Sequence, residues 1–65
     1  MNDFEKLKQT FAQMDIGFIC GNALLNKRKD AFFLEIGSEN TGFTITFYFD
    51  LCGKYLKRSI CKSKE

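Results

Sequence analysis

The residues whose types could carry chemistry are few in this chain of 65 residues. It contains no His, which removes the commonest general base and the commonest metal ligand. Cys52 has Lys54 close by as a possible activating base, but an exposed bystander is the simpler interpretation of this thiol. The acidic residues are scattered, no glycine-rich loop precedes a helix, and the Cys spacings match no usual zinc pattern. We therefore predict a non-enzymatic protein that uses no metal and no cofactor.

The cysteines and the N-terminus also bear on the compartment. Cys20, Cys52 and Cys61 are odd in number and form no C-x-x-C pair, so reduced thiols are a better expectation than a disulfide framework. Cys20 and Cys61 are expected to act as small apolar residues in or beside strands. There is no signal-peptide pattern, and no apolar run approaches the roughly 20 residues of a membrane span. These features predict a soluble, cytoplasmic protein.

Basic residues are concentrated near the C-terminus, although the formal net charge is only +2. The basic residues of this segment are Lys54, Lys57, Arg58, Lys62 and Lys64. Tyr48, Tyr55 and Phe33 could lie near them, and basic groups mixed with aromatics bind single-stranded nucleic acid. Lysines on an edge strand also discourage aggregation, which is the simpler explanation. A small nucleic-acid-binding accessory protein is therefore the alternative function.

The N-terminal segment has the signals of one amphipathic helix. Asn2 and Glu5 have the spacing of a capping box. The apolar positions then recur at spacings of three and four: Phe4, Leu7, Phe11 and Met14. The helix is expected to end near Asp15, with Gly17 as the left-handed residue that closes it.

Strand patterns follow the helix. Residues 18–26 predict either one irregular edge strand or two short pieces bent at Gly21-Asn22, and residues 27–30 predict a polar turn. Residues 31–37 and 43–50 alternate with period two. A loop at 38–41 would give three apolar pairs on one face: Ile36–Phe43, Leu34–Ile45 and Phe32–Phe47.

The last hairpin leaves two alternatives open. Asp50 to Gly53 predicts a turn with Gly53 left-handed, which pairs Phe49 with Tyr55 and Tyr48 with Leu56. Leu56 and Ile60 then lie opposite the core. Either a bulge near Tyr55 returns both to the core, or the sheet has a second apolar surface. The second alternative predicts a partner-binding face made of Phe33, Tyr48, Leu56, Arg58 and Ile60.

Together these patterns predict a single α+β domain over residues 1–65. Its N-terminal helix packs on one face of a three- or four-stranded antiparallel meander.

The order of the elements carries a resemblance as well: a capped helix, a poorly defined strand and then residues 42–56, which together cover most of the chain. An aromatic strand that ends in an Asp-x-x-Gly-Lys-aromatic turn resembles small proteins of bacteriophages and mobile elements. The resemblance implies a phage-encoded inhibitor that binds a host or anti-phage defence protein in the host cytoplasm, with a homodimer as a further possibility. No residue role is carried over through it.

Overall fold

The computed structural model describes residues 1–25, 27, 30–38 and 42–62. The elements, in chain order, are the helix α1 (Asp3–Gln13) and the strands β1 (Ile19–Ala23), β2 (Ala31–Ser38), β3 (Phe43–Asp50) and β4 (Tyr55–Lys62). The strands form one antiparallel sheet in the order β1-β2-β3-β4. The predicted α+β meander is confirmed, with four strands.

The start of α1 follows the sequence signal. Asn2 has extended backbone angles, and its side-chain oxygen accepts a hydrogen bond of 2.8 Å from the Glu5 backbone N–H. The backbone N–H groups of the first helical turn have no partner within the helix, and this hydrogen bond satisfies one of them. The predicted cap at Asn2 is confirmed.

The end of α1 differs from the prediction. Asp15, with φ of 60°, is the left-handed residue, and Gly17 is not. The Ile16 N–H donates to the Phe11 carbonyl and the Asp15 N–H to the Ala12 carbonyl, which is the Schellman pattern. Ile16 also packs against the core cluster that contains Phe11. This apolar contact fixes the position of the closing residue, so the helix ends two residues earlier than a glycine signal indicates.

The core lies between α1 and one side of the sheet, which we call the helix face. Phe11, Leu34 and Phe49 are its buried members. The Phe4 ring is 5.2 Å from the rings of both Phe32 and Phe49, between centroids. These contacts place α1 over β2 and β3. Met14, predicted in the apolar stripe, is instead 62% exposed at the end of the helix.

The pairing of β2 with β3 is shifted by two residues from the prediction. The observed apolar pairs are Ile36↔Ile45, Leu34↔Phe47 and Phe32↔Phe49. A shift of two leaves every side chain on its predicted face, because side chains alternate with period two. The predicted pairs were therefore wrong although the predicted faces were right. Ser38 lies in β2 and pairs with Phe43, and the rest of the predicted loop lies outside the described residues.

The first strand is one continuous edge strand. All five of its residues pair with β2, so Gly21-Asn22 does not bend it. Gly21 lies opposite Phe33, and a Cβ atom at Gly21 would lie 3.1 Å from the Phe33 ring. The glycine makes room for that ring. The predicted polar turn at 27–30 falls largely outside the described residues.

Candidate protein-binding surface

The turn between β3 and β4 is built around Asp50. Its Oδ1 accepts hydrogen bonds of 2.9 Å from the backbone N–H groups of Cys52 and Lys54. The Gly53 N–H donates to the Asp50 carbonyl over 2.8 Å, and Gly53 has φ of 86°. The predicted turn, with Gly53 left-handed, is confirmed.

The first residues of the chain are hydrogen-bonded to this turn. Three hydrogen bonds join them to it: Phe4 N to Gly53 O (2.9 Å), Asn2 Nδ2 to Cys52 O (3.0 Å) and Tyr55 N to Asp3 Oδ2 (3.0 Å). The N-terminal end of α1 is therefore held beside the start of β4. Sequence patterns contain no signal for these bonds, because their partners are some fifty residues apart.

A bulge lies just after the turn. Phe49 pairs with Tyr55, whereas Tyr48 pairs with Lys57, so Leu56 is an extra residue in β4. Beyond it, Ile60 pairs with Ile45. The predicted bulge is confirmed, but it does not return Leu56 and Ile60 to the core, because both side chains are exposed. It shifts the face of every later residue of β4.

The bulge divides the predicted partner-binding face. Phe33 and Tyr48 pair with each other on the side of the sheet opposite α1, which we call the outer face. Arg58 and Ile60 pair with Phe47 and Ile45, which places them on the helix face. The prediction that Phe33, Tyr48, Leu56, Arg58 and Ile60 share one face was wrong, because it assumed an unbroken alternation along β4.

The helix leaves β4 uncovered. An 11-residue helix is about 16 Å long and about 10 Å wide, whereas neighbouring strands lie about 4.8 Å apart, so it covers about two strands. Every residue of β4 is exposed. Tyr55 and Ile60 lie on the helix face of β4 and are 43% and 55% exposed, and Leu56 in the bulge is 45% exposed.

We call Phe43, Tyr55, Leu56 and Ile60 the β4 strip. Phe43 pairs with Lys62 at the far end of β4 and is 45% exposed. Alternation assigns Phe43 and Tyr55 to the core, so sequence reasoning missed them as surface residues. The short length of the predicted helix was the one signal that could have shown that a single helix leaves part of the sheet uncovered.

A groove runs between α1 and β4 beside this strip. Its volume is about 440 Å³, within the range of ligand pockets. Leu7, Phe47 and Phe49 contribute apolar surface, while Asp3, Lys6 and Arg58 are the charged residues of its lining. The groove can accept an apolar side chain from a molecule that lies along β4.

The basic residues do not form one patch. Lys57 lies on the outer face, with its Nζ 5.5 Å from the centre of the Tyr48 ring. Arg58 and Lys62 lie on the helix face, and Lys54 adjoins the turn. Lys64 lies outside the described residues. Lys57 and Arg58 are consecutive residues of β4, so alternation places them on opposite faces with or without the bulge.

The cysteines are free thiols on the surface. Cys20 and Cys61 lie in strands, as predicted, but like Cys52 they are exposed rather than packed as small apolar residues. Both belong to edge strands that α1 does not cover. Within the described ranges no three Cys, Asp or Glu side chains converge as metal ligands would. Nor does that part of the chain contain a helix long and apolar enough to cross a bilayer.

Comparison of the chain with protein-family models, with curated proteins and with solved structures finds no match.

Proposed function

We propose that this protein is a non-enzymatic binding module that captures another protein through the β4 strip. The observation that carries the proposal is the concentration of exposed apolar side chains along β4 and at the adjoining end of β3. Nine large hydrophobic residues are exposed in the described part of the chain, and four of them are the β4 strip. Clustered apolar residues at a surface are typical of protein interfaces, whereas single exposed ones are ordinary.

The composition of this edge also suits a protein partner. Tyr and Arg are enriched among the residues that dominate binding energy, and Tyr55 and Arg58 both line the groove beside the strip. The groove gives a partner side chain a place to be desolvated. In keeping with the resemblance to compact phage proteins, the proposed role is inhibition of a host or defence protein in the host cytoplasm.

Nucleic-acid binding is the weaker of the two functions. Three basic residues and no acidic one lie in β4, which favours a polyanion, but they are divided between the two faces. Binding to mixed single-stranded DNA that weakens steeply with salt would support this alternative. We expect no such binding at low salt.

Two exposed isoleucines provide a matched experiment for the protein-binding function. Ile60 is 55% exposed on the helix face of β4, and Ile19 is 64% exposed on the outer face of β1. Both belong to edge strands, so Ile60→Glu and Ile19→Glu each place one carboxylate at an exposed edge position. Ile19 pairs with Glu35 whereas Ile60 pairs with Ile45, so Ile19→Glu is the variant that meets a like charge and is the more demanding control for folding. Tagged wild type and both variants are used to capture proteins from a bacterial lysate.

A protein retained by wild type and by Ile19→Glu, but lost with Ile60→Glu, is the expected result. Circular dichroism and thermal unfolding show whether each variant keeps its fold. Equal capture by Ile60→Glu, or loss of capture only with Ile19→Glu, would contradict the assignment of the binding surface to the β4 strip.

A further inference from the structure

Alternate residues of β4 direct their backbone N–H and C=O groups away from β3, toward the free edge of the sheet. The Asp50 N–H donates to the Lys54 carbonyl, so Asp50 directs its backbone groups toward the last strand. Directions alternate along an antiparallel strand, so Tyr48, Thr46 and Thr44 do the same. Their partners in β4 are Lys57, Ser59 and Cys61. The residues between and after these partners direct their N–H and C=O groups away from β3: Arg58, Ile60 and Lys62.

The backbone groups at the start of β4 already have partners, whereas those of the edge from Arg58 to Lys62 do not pair with another described strand. The Tyr55 N–H is taken by the Asp3 carboxylate, and the bulge at Leu56 interrupts the regular pairing. From Arg58 to Lys62 no other described strand pairs with β4. A free edge of this kind is a template for one more strand.

The positive charge of this edge favours one kind of added strand over another. Arg58 and Lys62 flank Ile60 on the helix face, and no residue of β4 is acidic. In a second copy paired antiparallel about Ile60, Arg58 would lie opposite Lys62 of the other copy. Like charges directly opposite each other destabilise a sheet, whereas opposite charges stabilise it. A strand with acidic residues at those positions therefore fits better than a second copy of this chain.

We propose that the edge from Arg58 to Lys62 binds an extended segment of a partner protein as an added antiparallel strand. The segment carries the pattern acidic-x-apolar-x-acidic, with the acidic residues opposite Arg58 and Lys62 and the apolar residue opposite Ile60. This inference rests on the proposed function and specifies the partner's chemistry and its mode of binding. The groove lined by Arg58 lies on the same face as these three side chains.

Synthetic peptides test the proposal directly. The probe is a labelled seven-residue peptide of Thr with Glu at the second and sixth positions and Val at the fourth, and the control peptide has Lys in place of both Glu. Wild type is expected to bind the Glu peptide about tenfold more tightly than the Lys peptide in fluorescence anisotropy. The double variant Arg58→Glu with Lys62→Glu is expected to reverse that preference.

Amide hydrogen exchange separates strand addition from simple attraction of charges. Added backbone hydrogen bonds should slow exchange at Arg58, Ile60 and Lys62 when the Glu peptide binds. Ser59 and Cys61, whose amides already face β3, should change little. Peptide binding without this alternating protection would overturn the proposal, as would no saturation at about 1 mM of the Glu peptide.

The two proposals fail in different ways. If lysate capture depends on Ile60 but the peptide gives no alternating protection, strand addition is wrong and the protein-binding function stands. If the peptide binds as expected but no captured protein depends on Ile60, the edge of β4 can bind an added strand and the proposed cellular function is wrong. Sedimentation of wild type is expected to show a monomer at low salt, and a dimer abolished by Ile60→Glu would overturn the preference for an acidic partner.

Discussion

Replacement of Gly53 by Ala should be among the most damaging single-methyl changes in this protein. Gly53 is buried in the β3–β4 turn and has φ of 86°. A residue with a Cβ atom adopts this left-handed conformation at a cost of about 1–2 kcal/mol. An added Cβ atom would overlap the amide group of the Asn2 side chain. Asn2 cannot move away without breaking its bonds to the Glu5 N–H and the Cys52 carbonyl.

The expected loss is the sum of these effects. Loss of the helix cap costs about 1 kcal/mol, and loss of the bond to Cys52 costs about 1 kcal/mol. With the backbone strain at Gly53, the total is about 3–4 kcal/mol. A domain of this size has a free energy of unfolding of roughly 3–10 kcal/mol, so Gly53→Ala should remove much of it. Chemical and thermal unfolding followed by circular dichroism measure this quantity.

A double-mutant cycle isolates the clash. Asn2→Ala alone should cost about 2 kcal/mol, because it loses the cap and the bond to Cys52. Once Asn2 is Ala, the atoms nearest the new methyl group are gone, and Gly53→Ala should then cost only the backbone strain of about 1–2 kcal/mol. The double variant should be no less stable than Gly53→Ala, which corresponds to a coupling of about 2 kcal/mol.

Two glycines serve as controls for that experiment. Gly42 has φ of 74° with open space around its Cβ position, so Gly42→Ala should show the strain of about 1–2 kcal/mol without a clash. Gly17 has neither constraint, and Gly17→Ala should leave stability nearly unchanged. Additive losses in the cycle, or equal losses for Gly53→Ala and Gly42→Ala, would refute the contact between Asn2 and Gly53.

Two further changes test the core and the end of the helix. Phe49 is 1% exposed, so Phe49→Ala should lower the free energy of unfolding by about 3–5 kcal/mol. Phe43→Ala should lower it by less than about 1 kcal/mol, because Phe43 is 45% exposed. Similar losses for the two variants in urea unfolding would contradict the placement of Phe43 at the surface. Asp15→Gly should raise the free energy of unfolding by about 0.5–1 kcal/mol, because Gly adopts the left-handed conformation without steric cost. A destabilised Asp15→Gly variant would show that the Asp15 side chain stabilises the fold.

The sequence predicted the elements better than their exact pairing. Period-two alternation assigned Leu34 and Phe49 to the core face correctly, because a residue's face depends only on parity. The same property explains the wrong pairs between β2 and β3, since a shift of two residues changes no face. Apolar matching alone could not distinguish Ile36–Phe43 from the observed Ile36–Ile45 pair.

The site was less predictable than the fold. The extra residue at Leu56 changes the face of Arg58 and Ile60, and the sequence allowed a strand with or without it. The contact from Asp3 to the Tyr55 N–H joins residues 52 positions apart and has no local pattern. A surface that depends on a bulge and on long-range hydrogen bonds could therefore be proposed from the sequence only as one of two alternatives.

The attachment of the N-terminus to the last hairpin also has consequences for folding kinetics. The hydrogen bonds from Asn2 to the Cys52 carbonyl and from the Tyr55 N–H to Asp3 join residues 50 and 52 positions apart, and such long-range contacts slow folding. During synthesis, α1 leaves the ribosome well before the turn that anchors it. An isolated helix of this length is marginal in water, so we expect α1 to remain largely unstructured until the β3–β4 hairpin has formed.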